Sequence, residues 1–310
     1  MSVGAGVGTG AGTTTGTGVQ MSVEMGIEID ELYAELDGED GPQLPDLRFD
    51  LGEVLASIET MSSQRPVAAQ IVALTHSEDA GAPELARLLV ADAALTGRVF
   101  KLANSAYYGL RGRVSSLQFA IAVVGFSTVR SMASVALTAA DDGYQLSEDH
   151  WTTSTDLALA CSGLASRMGQ RAQDALCVGL LAQLGVALLH HHDPEGYDAL
   201  AAAEPSLAGR RRAEAERYGV HAVELTALAM RHWGFPPAMV APLSGLDDPV
   251  SVPGGLLRGA TELAERLAGT SRRPVPLDEL TCGRVQESEA AGLLAEVRTE
   301  AADLRRALVG

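Results

Sequence analysis

Apolar residues recur at helical spacing along almost the whole chain from residue 47 onward, and short Gly- or Pro-containing breaks separate the periodic stretches. No run of alternating β-branched residues is long enough to build a sheet. The periodicity predicts helices at 47–61, 65–76, 83–90, 94–104, 116–139, 147–168, 171–191, 207–217, 219–232, 236–243, 252–269 and 285–308. We therefore predict an all-α fold, a bundle of many helices.

The segment 171–191 differs from the others because its leucines and valines are distributed around the whole helix. A helix that is apolar on every side is typical of the centre of a bundle. About 20 residues of helix span roughly 30 Å, which is the diameter of a small domain. We predict that this segment is the central buried helix.

The first 46 residues have a different composition. Residues 1–20 are rich in Gly and Thr, and residues 1–46 contain nine acidic residues and neither Lys nor Arg. We predict a disordered tail over 1–46, a helical domain over 47–270, and a linker and helix over 271–310 that pack on the domain or extend it, homodimerisation being an alternative. Within the tail, Ile29, Leu32, Tyr33 and Leu36 form one apolar stripe. It indicates either a frayed acidic tail or a helix that packs back on the body, or else a short docking helix for a groove on a partner.

Charge and composition exclude several classes of function. The formal net charge of −17 repels phosphate backbones, so we expect no nucleic-acid partner. Lys101 is the only lysine and precedes no Ser or Thr, so the chain has no P-loop motif. The three cysteines are far apart, and no uninterrupted apolar run reaches about 18 residues. We expect a cytoplasmic protein without disulfides, structural zinc or membrane contact.

Two motifs carry a family likeness. Residues Asp92–Leu110 read DAALTGRVFKLANSAYYGL, and Val178–Gly185 read VGLLAQLG. The first strongly resembles the HDOD (HD-related output) domain, and the second resembles that family's AGLLHDIG segment on the central helix. The resemblance covers roughly residues 62–270. It implies an HD-like helical bundle and a role in bacterial signal transduction.

The resemblance also implies where a metal site would lie, and there the chain departs from the pattern. HD-superfamily phosphohydrolases hold metal through an early His, a His-Asp doublet and a distant Asp. The doublet falls here on Ala182 and Gln183, and the early His on Thr153. A His pair that some members carry falls on Leu246 and Asp247. A methyl group cannot ligate a cation, and a neutral amide is a poor substitute for a carboxylate.

A literal His-Asp doublet does occur at His192-Asp193, within the run that begins at His190. It lies ten residues beyond Ala182-Gln183, at the end of the predicted central helix. Consecutive helical residues diverge, so this run predicts a helix terminus rather than a metal site.

The LANSAYYG motif has two interpretations. Asn104, Ser105 and Gly109 suit a helix end and a tight loop, whereas Tyr107 and Tyr108 suit either a core or a partner surface. From all this we expect a protein that lacks enzymatic activity, needs no cofactor and acts by binding protein partners. The alternatives are a divergent metal-dependent phosphohydrolase and a nucleotide sensor without turnover.

Overall fold

The computed structural model describes residues 46–59, 65–75, 81–138, 148–271 and 273–309. Every regular element within these ranges is helical, so the predicted all-α class is confirmed. Residues Pro45–Gly310 form one compact unit. The predicted tail and its stripe Ile29, Leu32, Tyr33 and Leu36 lie outside the described residues.

Sixteen α-helices are described within these ranges. They are α1 (Leu51–Ala56), α2 (Arg65–Leu74), α3 (Ala82–Leu89), α4 (Ala93–Ala103), α5 (Leu117–Val124), α6 (Phe126–Thr138), α7 (Glu148–Leu164), α8 (Ala172–Leu181), α9 (Leu184–His192), α10 (Pro194–Ala203), α11 (Leu207–Tyr218), α12 (Ala222–His232), α13 (Pro237–Ser244), α14 (Val252–Ala268), α15 (Leu277–Leu280) and α16 (Ala290–Val309). Short 3₁₀ turns lie at Ser57–Glu59, Ala106–Tyr108 and Glu287–Glu289.

Polar side chains define where many of these helices begin. Each accepts a hydrogen bond from a backbone N–H of the first turn, which otherwise has no partner within the helix. The capping residues are Asp50, Asp92, Ser116, Asp193, Ser206, His221 and Ser251. Asp193 lies at the helix terminus that the sequence predicted, and it also starts α10 together with Pro194 at the first helical position, where proline needs no N–H donor.

The predicted central helix is present as α8 followed directly by α9. This pair is surrounded by the helices α1, α4, α7, α12 and α13. Of these, α7 also packs against α14 and α16. The stretch Ala172–His192 is long and apolar enough to cross a membrane, but 78% of its most apolar window is buried within the described structure. Its composition is therefore explained by its place in the core.

Two predicted helices are divided in the structure. The segment 116–139 turns by 95° at Gly125, which separates α5 from α6 and has a φ of 84°. That φ is one that residues with a Cβ rarely adopt. The segment 171–191 is interrupted by a turn at Ala182 and Gln183, so α8 and α9 are two helical segments rather than one uninterrupted helix.

Candidate functional site

The interruption of the central helix falls at the two positions where the HD doublet would lie. The N–H of Gly185 donates to the Thr226 hydroxyl at 2.8 Å instead of to a carbonyl four residues earlier. Thr226 is fully buried on α12, and its hydroxyl also lies 3.0 Å from the carbonyl oxygen of Ala222. A side chain inserted into the hydrogen-bond ladder is a known cause of such a break.

Close approach of α9 and α12 makes this insertion geometrically feasible. A Cβ built on Gly185 would overlap the carbonyl oxygen of Ala222 and lie 2.6 Å from its carbonyl carbon. Glycine is therefore required here because a neighbouring backbone occupies the space of a side chain.

The residues at the doublet are poor metal ligands in a site that is largely filled. Ala182 is 0% exposed and Gln183 is 4% exposed. Thr153 lies half-buried on α7, one turn after the buried His150. Among the described residues, no three His, Cys, Asp or Glu side chains are grouped so that they could hold a metal ion. The residues present do not fit the metal centre of the HD superfamily.

Leu246 and Asp247, the positions at which some family members carry a His pair, stabilise the fold. Leu246 is buried in the core, and the Asp247 carboxylate accepts a hydrogen bond from Nε2 of His221 at 2.7 Å. Nδ1 of the same imidazole accepts from the backbone N–H of Glu224 at 3.2 Å, so His221 caps α12. The hydrogen bond from His221 holds the pKa of Asp247 below its usual range.

The run from His190 to Asp193 ends one helix and begins the next. Oδ1 of Asp193 caps α10 through the N–H of Gly196, and Oδ2 pairs with Arg217 at 2.8 Å. Burial raises the pKa of Asp193, but hydrogen bonds, chiefly those from Arg217 and Gly196, outweigh that effect and lower it overall. The carboxylate of this literal doublet is therefore occupied by structural contacts.

A cavity adjoins the carboxamide of Gln183. It is lined by Leu157, Gln183, Val186, Leu207, Arg210, Arg211, Glu214, Ala222, Val223, Leu257 and Thr261. The cavity is therefore formed by the α8–α9 junction together with the helices α7, α9, α11, α12 and α14.

A buried carboxylate on α11 borders this cavity. Oε1 of Glu214 accepts from the Tyr197 hydroxyl at 2.5 Å, and Oε2 accepts from the N–H of Ala222 at 2.8 Å. Burial raises the pKa of Glu214. Sequence reasoning missed Arg210, Arg211 and Glu214 as site residues, although three consecutive arginines at 210–212 in so acidic a chain were a usable signal.

The LANSAYYG motif divides into a buried and an exposed part. Nδ2 of the buried Asn104 donates to the carbonyls of Phe100 and Val114, and its Oδ1 accepts from the Val114 N–H at 3.2 Å. Asn104 thus fixes both ends of the loop that joins α4 to α5. Gly109 ends the 3₁₀ turn with a φ of 63°.

Tyr107, in contrast, is 78% exposed and stacks edge-on against Tyr108 at a centroid distance of 4.9 Å. Arg111 and Arg113 are exposed on the same loop, and Lys101 lies 5.6 Å from the ring centroid of Trp233. The loop is held to the α12–α13 corner by a hydrogen bond from the Gly112 N–H to the Gly234 carbonyl.

Comparisons with known proteins agree with this architecture. The fold is similar to that of the MmoQ response regulator from Methylococcus capsulatus str. Bath, with 28% identity, a TM-score of 0.64, and coverage of 76% of this chain and 98% of that one. A virulence factor from Campylobacter jejuni subsp. jejuni shares the fold at 16% identity and a TM-score of 0.57, over 82% of this chain and 93% of that one. A search of curated proteins found no match.

These likenesses define the class of the protein, a helical bundle of the HD-like kind. The family model of the HDOD domain matches residues 61–249, which is more than half of the chain. The chain belongs to the HDOD family, as the LANSAYYG run predicted.

Proposed function

We propose that this chain is a non-catalytic bacterial signal-transduction module that acts in the cytoplasm by binding another protein. The observation that carries the proposal is the pair Ala182 and Gln183, a methyl group and a neutral amide where hydrolysis in the HD superfamily needs an imidazole and a carboxylate. Membership of the HDOD family and the likeness to a response regulator support a role in signalling.

The loop between α4 and α5 is the surface that we assign to the partner. It combines the exposed Tyr107 with Tyr108, Arg111 and Arg113, and Tyr and Arg are the residue types that dominate binding energy at interfaces. Asn104 holds the loop in one conformation, which lowers the entropy lost on binding. The basic residues favour a partner with an acidic surface.

Affinity capture from the native host with the tagged full chain tests this surface. We expect Tyr107→Ser to reduce recovery of the partner about tenfold or more, because an exposed anchor tyrosine contributes strongly to binding. Val250→Ser is the matched control, since Val250 is 79% exposed and lies in a different loop. Equal recovery of the same partners by Tyr107→Ser and the wild type would show that the loop is not the interface.

The lack of catalysis is tested separately. Protein purified without chelators should contain no stoichiometric Fe, Mn or Zn by elemental mass spectrometry, and should not hydrolyse phosphate esters when Mn²⁺ is added. The divergent phosphohydrolase alternative requires the opposite result. Bound metal together with hydrolysis that is lost in Gln183→Leu would overturn our proposal.

The stripe in the tail remains a prediction. Replacing Leu32 and Leu36 with Ser in the full chain leaves the helical unit unchanged in sequence. If the stripe docks on a partner, the capture experiment should show loss of a protein that Tyr107→Ser retains.

A further inference from the structure

Acidic residues are distributed unevenly along this chain. The sequence contains 40 Asp and Glu residues, yet none of them lies in residues 93–140, which include Lys101, Arg111 and Arg113. Residues 225–246 also contain no Asp or Glu. Where these two stretches meet at the surface, we expect a positive local potential although the formal net charge is −17.

The structure brings the two stretches together at the corner between α12 and α13, to which the loop between α4 and α5 is hydrogen-bonded. Nζ of Lys101, in the last turn of α4, lies 5.6 Å from the ring centroid of Trp233. The side chain of Arg111 lies against Gly234, since a Cβ built on that glycine would be 2.6 Å from Cγ and Nε of the arginine. Lys101 and Arg111 therefore both lie beside the residues that follow His232.

Carboxylates do not neutralise the arginines of this corner. Arg111 and Arg113 are exposed, and neither makes an ion pair or a side-chain hydrogen bond within the described part of the chain. A guanidinium carries several N–H donors in a geometry that matches a carboxylate. Both arginines can therefore bind an acidic group that comes from another molecule.

His232, half-buried at the end of α12, adds a group that can titrate near neutral pH. Burial lowers its pKa, and repulsion from Lys101 and Arg111 lowers that pKa further. The helix α13, which packs against α12, has no ionisable side chain, and Arg231 on α12 donates a hydrogen bond to the Ser244 hydroxyl. The imidazole of His232 is therefore neutral near pH 7 and faces two positive charges.

We propose that the cationic corner, formed by Lys101, Arg111, Arg113 and His232, binds an acidic segment of the partner protein, and that His232 takes up a proton from solvent on binding. The exposed ring of Tyr107 lies on the same loop and adds apolar contact area. Binding of a partner at this loop is the proposed function, on which this inference rests. The acidic chemistry of the partner and the uptake of a proton go beyond it.

A short acidic protein segment suits this surface better than a nucleic acid does. The net charge of −17 repels a long phosphate backbone, whereas a short segment contacts the cationic corner alone. Charges separated by more than about 10 Å are largely screened at an ionic strength of about 0.1 M, so the acidic residues elsewhere oppose such a short contact only weakly.

The direction of the pH dependence follows from the charges at the imidazole. Carboxylates of the bound segment favour the charged form of His232, so its pKa rises in the complex. The complex then binds more protons than the free chain does. Affinity for the acidic segment therefore increases as the pH falls.

Fluorescence anisotropy with a labelled peptide of alternating Glu and Ser tests the cationic corner in the full chain, and the matched peptide of Gln and Ser is the uncharged control. We expect the Glu peptide to bind and the Gln peptide not to bind. Arg111→Glu should weaken binding of the Glu peptide about tenfold, because a repulsion replaces an attraction. Arg298→Glu makes the same change of net charge at an exposed position on α16 and should leave the affinity nearly unchanged.

Far-UV circular dichroism confirms that each variant is folded. Absence of binding to the wild type, equal binding of the two peptides, or equal affinity of Arg111→Glu and Arg298→Glu would overturn the site.

The proton is tested by repeating the titration at about pH 7.5 and about pH 6.0, on either side of the range in which an ordinary histidine titrates. At the lower pH, the affinity of the wild type should rise about threefold more than that of His232→Gln, for a rise of about one unit in the pKa of His232 on binding. Equal gains in the two proteins would refute proton uptake.

Failure of this inference can be told apart from failure of the proposed function. Loss of partner capture in Tyr107→Ser, together with equal peptide affinity of Arg111→Glu and Arg298→Glu, would contradict the acidic segment alone. Peptide binding that depends on Arg111, together with normal partner capture by Tyr107→Ser, would contradict the proposed function alone.

Discussion

Replacing Gly185 with alanine tests the close packing of α9 against α12. The new Cβ would lie 2.6 Å from the carbonyl carbon and 3.0 Å from the Cα of Ala222, whereas carbon atoms in favourable contact are about 3.5–4.0 Å apart. The obstacle is backbone, so no rotation of a side chain can relieve it. The two helices must separate by roughly 1 Å, judged against that contact distance.

The magnitude follows from three effects. Overpacking of a core costs about 1–3 kcal/mol. Separation of the helices also weakens the hydrogen bond from Gly185 to Thr226, worth about 0.5–1.5 kcal/mol. Alanine is favoured over glycine within a helix by about 0.5–1 kcal/mol, which offsets part of the loss. We expect the free energy of unfolding to fall by about 0.5–4 kcal/mol overall.

Gly292→Ala provides the matched control. Gly292 lies in α16, and a Cβ built there meets no atom within 4 Å. The helix propensity alone should then stabilise the protein by about 0.5–1 kcal/mol. Urea unfolding followed by circular dichroism at 222 nm measures both variants. If Gly185→Ala is as stable as Gly292→Ala, the reasoning about this crossing is wrong.

Two further predictions concern buried polar side chains. Asn104→Ala should lower the free energy of unfolding by about 2–4 kcal/mol, because it leaves the N–H and carbonyl of Val114 without their partner. Ser105→Ala, in the same urea assay, should change it by less than about 0.5 kcal/mol, since the buried Ser105 hydroxyl has no hydrogen-bond partner within the described residues. Burial, with smaller contributions from nearby positive charge, lowers the pKa of His150 from 6.5 to about 3, so below pH 6.5 the unfolded state binds a proton that the folded state does not. The stability that this group contributes is complete above pH 6.5 and is lost as the pH falls toward 3. Between pH 7.5 and pH 5.5, the free energy of unfolding of the wild type should therefore fall by about 1.4 kcal/mol more than that of His150→Gln. Parallel pH profiles of the two proteins would contradict the assignment.

Periodicity predicted most helices because burial of one helix face requires apolar residues at helical spacing within a single segment of sequence. The helix Pro194–Ala203 was missed because Pro194 reads as a break from the preceding residues, although proline also suits a first helical turn. The 95° corner at Gly125 was missed because apolar spacing continues across it. Both errors concern where a helix ends rather than whether one exists.

The site could be predicted only in part. The assignment of the doublet positions to Ala182 and Gln183 rests on one short motif and stays a prediction. The cavity beside them could not be predicted, because α7, α11, α12 and α14 come from distant parts of the sequence and meet only through packing. Likewise, the sequence around the motif does not show that Asn104 is buried and holds the loop, whereas Tyr107 in the same motif is exposed.

The burial of Ala182 limits how this domain can change during evolution. A codon change that places histidine there would force an imidazole into a position with no exposed surface, at a cost of about 1–3 kcal/mol or more. A histidine at this position would thus have to be preceded by substitutions that enlarge the surrounding core. Mutations at exposed positions such as Tyr107 meet no such barrier, so the surface of the loop between α4 and α5 can change more readily than this core position.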